Sequence, residues 1–304
     1  MGRNWRNKVS LIQRVKIAWD EPLAKHTMFR VGGVVSCIIY PETFEAAIET
    51  LKVLNRYRVR YFVLGKGSNL LVADQLPEMA AISLDLGARH FDVWEFGKEA
   101  RLRVGAGVSI SRLIRECMSG GFSGLEFLVG IPGSVGGAVV MNAGTSRGEI
   151  SRVLEKVTVV SAEGKMELEK EDLDFSYRKS CLPQGSIVWD AVFRVGKDEK
   201  KEIKKKVIKI LKERKKRQPA LLGTAGSVFK NPPGDYAGRL IEEAGLKGKV
   251  LGGARISPKH ANWIVTSQGA RARDVYGLMK LVRERVKDKF GIELEPEVKL
   301  IGFD

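Results

Sequence analysis

The stretch GLEFLVGIPGSVGGAVVMNAG, residues 124–144, organises the reading of this chain. Glycines stand at 124, 130, 133, 136, 137 and 144, and Glu126 is its one charged residue. Glycine lacks a Cβ, so its backbone turns left-handed at no steric cost and presents N–H groups at close range. Successive exposed N–H groups make a concave cradle for phosphate. The apolar approach, Leu125, Phe127, Leu128 and Val129, points to a buried loop. A plain glycine-rich turn between two core elements fits the composition as well. Glycines at this density cost backbone entropy unless a ligand uses the open backbone, which favours the binding loop for a large phosphate-bearing cofactor.

A second glycine stretch lies upstream. Arg60 to Leu64 (RYFVL) reads as a buried strand and runs into Gly65-Lys66-Gly67-Ser68-Asn69-Leu70-Leu71. A strand that ends in a Gly-x-Gly turn is where α/β folds bind phosphates. The third glycine of the dinucleotide fingerprint is missing, and no Gly-Lys-Ser/Thr closes a Walker loop. Taken alone, this stretch divides evenly between a site and a turn.

The chain has 304 residues, enough for two or three domains with a sizeable core. No apolar run is long enough to span a bilayer. The basic N-terminal stretch lacks a continuous apolar core and a cleavage site, so it does not read as a signal peptide. Its apolar residues, Trp5, Leu11, Ile12, Val15, Ile17 and Trp19, fit a docking helix. Cys37, Cys117 and Cys181 are sparse and form no CxxC pair, which argues for a reducing, cytoplasmic setting. Three scattered histidines give no metal-ligand spacing, so no metal is expected. The net charge of +16 raises nucleic-acid binding as a reading. Much of it sits in 197–217, where Ile203, Val207, Ile210 and Leu211 fall at helical spacing beneath a charged face. No aromatic residues interleave with the lysines to stack bases, so a solvated helix face is favoured.

Further helices are expected at Glu42–Tyr57, Ser109–Met118 (with Ser109 as N-cap), Tyr236–Ala244 and Ala272–Phe290. Strands are expected at Phe91–Phe96, Arg101–Gly105, Ser186–Val195, Asn262–Thr266 and Ile292–Ile301, with a hairpin over 153–168. This order implies an α+β chain in three parts. The boundaries expected are 1–84 and 85–205 for two glycine-loop subdomains and 206–291 for a third domain, with 292–304 returning to the first two.

Together these stretches resemble the UDP-N-acetylenolpyruvoylglucosamine reductase (MurB) family. The resemblance rests on HTMFRVGG at 26–33, LGKGSNLLV at 64–72, the stretch 124–144, SYRKS at 176–180, AGSVFKNP at 225–232 and LEPEV at 294–298. They occur in the family's order and cover nearly the whole chain. His26 departs from the asparagine usual there. The chain resembles the shorter family type, without the extra tyrosine-bearing loop. The resemblance implies two subdomains of the vanillyl-alcohol-oxidase FAD-binding type plus a C-terminal α/β substrate domain. It implies non-covalent FAD, NADPH as hydride donor, a UDP-sugar enolpyruvyl ether as substrate, and a monomer or weak oligomer with no nucleic-acid or membrane partner. The loop residues matched to FAD are Gly65, Lys66, Gly67, Ser68, Asn69 and Leu70, then Gly130, Ile131, Pro132, Gly133, Ser134, Gly136, Gly137, Asn142, Ala143 and Gly144.

The reaction so implied adds a hydride to C3 of an enolpyruvyl double bond and a proton to C2. Ser227 is matched to the proton donor. Apart from the motif it reads as a turn serine beside Gly226. Arg178 is matched to the group facing the substrate carboxylate, because guanidinium is always charged and binds carboxylate with two prongs. Glu297 is matched to a position near that carboxylate, and alternation with Glu293 and Glu295 puts all three on one strand face. Tyr177, Arg217, Lys230, Asn231 and His260 are candidates for the diphosphate, sugar or carboxylate. An FAD-dependent alcohol or sugar oxidase of the same fold is the rival enzyme reading.

Overall fold

A computed structural model describes residues 4–219 and 223–303. It combines parallel and antiparallel sheets with seven α-helices among the described residues, an α+β architecture. These residues divide into two compact units rather than three parts. The first holds the chain up to Trp19, Ser36–Gly65 and Glu78–Lys212. The second holds Asp20–Val35, Lys66–Pro77 and the chain from Glu213 onward. The division therefore differs from boundaries at 84 and 205, because two short stretches of the N-terminal region pack with the C-terminal third.

The first unit opens on a helix, Asn4–Ser10, that buries Trp5 and Val9. The expected docking helix stops there. Arg14 adopts a left-handed φ of +58°, and the β-branched alternation of Val15 and Ile17 continues as a strand, Val15–Pro22. A four-stranded sheet follows in the order Val15–Pro22, Val34–Pro41, Met79–Ile82, Arg60–Val63. Its last three strands run parallel. Arg60–Val63 is an edge strand with Arg60 and Val63 exposed, not the buried strand expected. The helix Phe44–Arg56 begins where Thr43 accepts the N–H of Ala46, a standard N-cap.

An antiparallel sheet forms the rest of this unit. The long strand Ile187–Lys197 lies between Leu154–Val160 and Glu99–Gly105, which carry Lys165–Glu169 and Phe91–Phe96 outside them. Alternation along Glu99–Gly105 sends Ala100, Leu102 and Val104 into the core and leaves Arg101 and Arg103 on the other face. Ser109 caps the helix Ile110–Gly120, as the sequence indicates, and Gly121 ends it at φ +77°. The lysine-rich helix Lys200–Arg217 buries Ile203, Val207 and Ile210, whereas Leu211 is exposed.

The second unit packs the helices Ala237–Glu243 and Ala272–Phe290 against a three-stranded antiparallel sheet, Val250–Leu251, Ala254–Ile256 and Ile264–Thr266. The long helix buries Val275, Leu278, Met279, Val282 and Val286 at helical spacing. Asp74 caps its start, accepting the N–H groups of Ala272 and Arg273. The expected strand over 292–301 is reduced to Lys299–Ile301, because Pro296 removes a ladder donor. That short strand pairs in parallel with Leu70–Val72, inside the second unit. No regular strand therefore carries Glu293, Glu295 and Glu297. Glu293 pairs with Arg283 and Glu295 with Lys230. Among the described residues no helix is long and apolar enough to cross a membrane, and no cluster of His, Cys, Asp and Glu is arranged to hold a metal.

Candidate active site

The central glycine stretch folds as turns at Gly124 and Gly130, then a short helix, Val135–Val140. Gly130 and Gly133 have φ of +76° and +146°, a region closed to most side chains. Ser134 is buried and caps the helix by accepting the N–H of Gly137 at 3.3 Å. The loop is sewn to its neighbour: Ile110 N–H donates to Gly133 O, Val135 N–H to Val108 O and Gly136 N–H to Ala106 O. A Cβ on Gly136 would lie 2.8 Å from the Ala106 Cβ, so only glycine allows this approach. Gly65 reaches the same place, since a Cβ on it would lie 2.7 Å from Ser134 Oγ. Among the described residues, the backbone N–H groups of Gly65, Gly130, Gly133 and Ser134 meet no protein acceptor. Buried N–H groups are normally paired, so N–H groups left over at a glycine-walled helix start fit an anionic ligand.

Asn142 closes the stretch at a left-handed φ of +39° and is 1% exposed. Its side chain does not face outward as a ligand contact. Nδ2 donates to Ser176 O at 3.2 Å and Oδ1 accepts from Ser151 N–H at 3.0 Å. Ser176 opens the tight turn Ser176-Tyr177-Arg178-Lys179, closed by paired bonds between Ser176 and Lys179. Ser180 is tied to Val140 O through both its N–H and its hydroxyl. Arg178 sits at the turn's strained corner, φ +60°, and its Nη1 donates to Gly144 O at 3.0 Å. Its guanidinium lies 5.3 Å from the ring of Tyr177, which is half exposed. The glycine loop and the Arg178 turn are thus one hydrogen-bonded piece of the first unit.

The second unit carries the other two motif residues. Val228 N–H donates to Asn262 O, and Val228 O accepts from Glu297 N–H at 2.8 Å. Ser227, the preceding residue, bridges Trp263, and Phe229 bridges Pro296. The backbones of both motifs are thus tied to Val228, which follows Ser227 in the chain and accepts the N–H of Glu297. Asn69 supports Glu297 from behind, its Nδ2 donating to Glu297 O at 3.0 Å, which is a scaffold role for its amide. Gly67 stands at φ +59°, where a Cβ would collide with the carbonyl of His26. The N–H groups of Gly67 and Ser68 also meet no protein acceptor among the described residues.

The remaining candidates are placed as follows. Lys230 Nζ lies 2.6 Å from Glu295. Asn231 Oδ1 accepts Ala237 N–H and so caps the helix Ala237–Glu243. Arg217 is exposed at the end of the lysine-rich helix. His260 is half-buried, and its Nδ1 accepts the N–H of Asn262 at 3.3 Å. Burial lowers its pKa from the ordinary histidine value. The sequence did not single out Asn262, whose side chain grips Phe229 at both backbone atoms. Its one signal is a polar residue inside an otherwise apolar strand-like run.

Glycine-walled N–H groups that meet no protein acceptor suit a protein that binds a phosphate-bearing cofactor. Residues 35–168 match the FAD binding domain family, and residues 218–301 match the UDP-N-acetylenolpyruvoylglucosamine reductase C-terminal domain. UDP-N-acetylenolpyruvoylglucosamine reductase of Myxococcus xanthus is 44% identical over 97% of this chain and 95% of its own length. The enzyme of that name from Bacillus pumilus is 39% identical over 98% of each chain. The crystal structure of the Thermus caldophilus enzyme superposes with a TM-score of 0.80 at 39% identity, over 95% of this chain and 99% of that one. The chain belongs to the UDP-N-acetylenolpyruvoylglucosamine reductase (MurB) family, with FAD as its cofactor.

Proposed function

We propose that the protein reduces UDP-N-acetylglucosamine enolpyruvate to UDP-N-acetylmuramate with NADPH, in cytoplasmic peptidoglycan precursor synthesis, as a monomer or weak oligomer. The observation that supports this reading is the hydrogen bond from Glu297 N–H to the carbonyl of Val228, the residue after Ser227, which ties the backbones of the two motifs together. When bound, FAD supplies to C3 of the enolpyruvyl double bond a hydride drawn from NADPH. The cradle N–H groups of Gly65, Gly130, Gly133 and Ser134 would hold its diphosphate. Arg178 pairs with the substrate carboxylate and stabilises the negative charge that spreads into it from C2. Ser227 Oγ–H delivers the proton to C2, and withdrawal from water makes its hydroxyl a better-matched acid for a carbanion-like carbon. Glu297 lies near the same carboxylate and orients the enol form. Tyr177, Arg217 and Lys230 contribute to binding of the sugar nucleotide.

The test separates the two half-reactions in a rapid-mixing spectrophotometer. The purified protein should be yellow. Ser227→Ala should bleach with NADPH at close to the wild-type rate, then recolour about 10³-fold more slowly with the enolpyruvyl sugar nucleotide. Equal slowing of both phases, or an unchanged second phase, removes Ser227 from the proton-donor role.

A further inference from the structure

We propose that Asn262 is the positioning residue of the acid-base pair, holding the Ser227 segment and through it Glu297 in reacting register. The inference rests on the reading of Ser227 as proton donor. The segment 225–230 has no helix or regular strand to hold it. Its only ladder is a pair of isolated bridges, Ser227 to Trp263 and Phe229 to Pro296. Asn262 supplies what a neighbouring strand would. Its Oδ1 accepts Phe229 N–H at 3.0 Å, its Nδ2 donates to Phe229 O at 2.8 Å, and its own carbonyl accepts Val228 N–H at 2.9 Å. Three bonds from one residue therefore fix the two residues that follow Ser227.

The same bonds reach Glu297. Val228 O is the acceptor for Glu297 N–H, so a shift of Val228 moves both side chains. Asn262 is 3% exposed, and its backbone N–H is held in turn by His260 Nδ1. No water competes for an amide buried this deeply, and no other side chain among the described residues bonds to the Phe229 backbone. Displacement of a reacting group by about 1 Å costs on the order of 10²-fold in rate. Asn262 touches neither reacting atom in this scheme and acts only through the peptides of Val228 and Phe229.

Asn262→Ala and the isosteric Asn262→Asp test this in the FAD-loaded full chain. Asp keeps the side-chain shape and faces the Phe229 carbonyl with an oxygen in place of a donor, so it carries the test if Ala does not fold. Either variant should recolour with enolpyruvyl substrate about 30- to 100-fold more slowly, with KM changed less than about threefold and reduction by NADPH retained. Adding Asn262→Ala to Ser227→Ala should slow that phase less than about threefold further, because residues that act through one another are not additive. Full additivity, a loss confined to KM, or equal loss in both half-reactions overturns the role of Asn262 while leaving Ser227 in place. A normal second phase in Ser227→Ala alone overturns the underlying reading and this proposal with it.

Discussion

The two units solve the same problem with opposite materials. The first unit relies on the absence of side chains: Gly136 lets backbone come close, and Gly65, Gly130 and Gly133 leave N–H groups without a protein acceptor among the described residues. The second unit carries the side chains proposed to react, Ser227 and Glu297, on irregular chain. Yet each unit pins its irregular chain with one buried asparagine. Asn142 joins the glycine loop to the Arg178 turn, and Asn262 joins the Ser227 segment to the strand that ends at Thr266. An asparagine amide both donates and accepts, so it imitates one rung of a sheet where none can form. The expected difference is that damage to the first unit loosens the cofactor and damage to the second spoils proton transfer.

Asn142→Ala gives the largest effect. It removes the partner of the part-buried Ser151 N–H and of Ser176 O and asks alanine to hold φ +39°, which asparagine tolerates far better. A loss of roughly 3 kcal/mol in urea unfolding is expected. Weaker FAD retention on gel filtration should accompany it, whereas Asn262→Ala should keep its flavin. If both variants lose FAD equally, the division of labour between the units is wrong. Next comes Arg178→Ala, which should raise the barrier of the second half-reaction by about 3 kcal/mol, read as a fall in kcat. Arg178→Lys should recover only part of it, because a point charge cannot replace the two-pronged donor that also holds Gly144 O. A wild-type rate in Arg178→Ala would place the carboxylate partner elsewhere.

Gly136→Ala is smaller and more specific. The added methyl meets the Ala106 Cβ at 2.8 Å and pushes the helix start away from the loop that bonds it. About 2 kcal/mol of destabilisation is expected, together with a higher FAD dissociation constant. Restored FAD affinity in Gly136→Ala/Ala106→Gly would show that the close approach itself matters, while no rescue would point to the helix interior instead.

How much of this was open to sequence reading follows the same contrast. The glycine cradle announces itself, because glycine is the one residue whose presence reports a backbone requirement. The helices Phe44–Arg56, Ile110–Gly120 and Ala272–Phe290 were equally open, through their spacing and, for the last two, through Ser109 at the start of one and Gly291 at the end of the other. The strands Val34–Pro41 and Met79–Ile82 were not, since short buried parallel strands show apolar runs without alternation. The N-terminal turn at Arg14 was hidden because its left-handed φ carries no glycine. Ser227 and Glu297 stand out only by family resemblance. The bonds that make Asn142 a clamp were not legible, and Asn262 was hidden at the start of a strand-like run, since a side chain that imitates backbone leaves no periodic trace.

The smallest expected effect probes the support behind Asn262. Burial, then the Lys247 charge, hold the His260 pKa below the ordinary histidine value, and its Nδ1 must stay unprotonated to accept the Asn262 N–H. The folded state therefore resists a proton that the unfolded chain takes up near its normal pKa of about 6.5. The stability from this group is complete above that pH and declines as pH falls toward the lowered folded value. His260→Gln offers an amide oxygen to the same N–H and does not titrate. Urea midpoints of wild type and variant should differ little at pH 8, and the wild type should lose more stability than the variant between pH 7 and 5. Parallel curves over that window would mean that His260 carries no buried proton linkage, and that Asn262 is held by its own bonds to Val228 and Phe229.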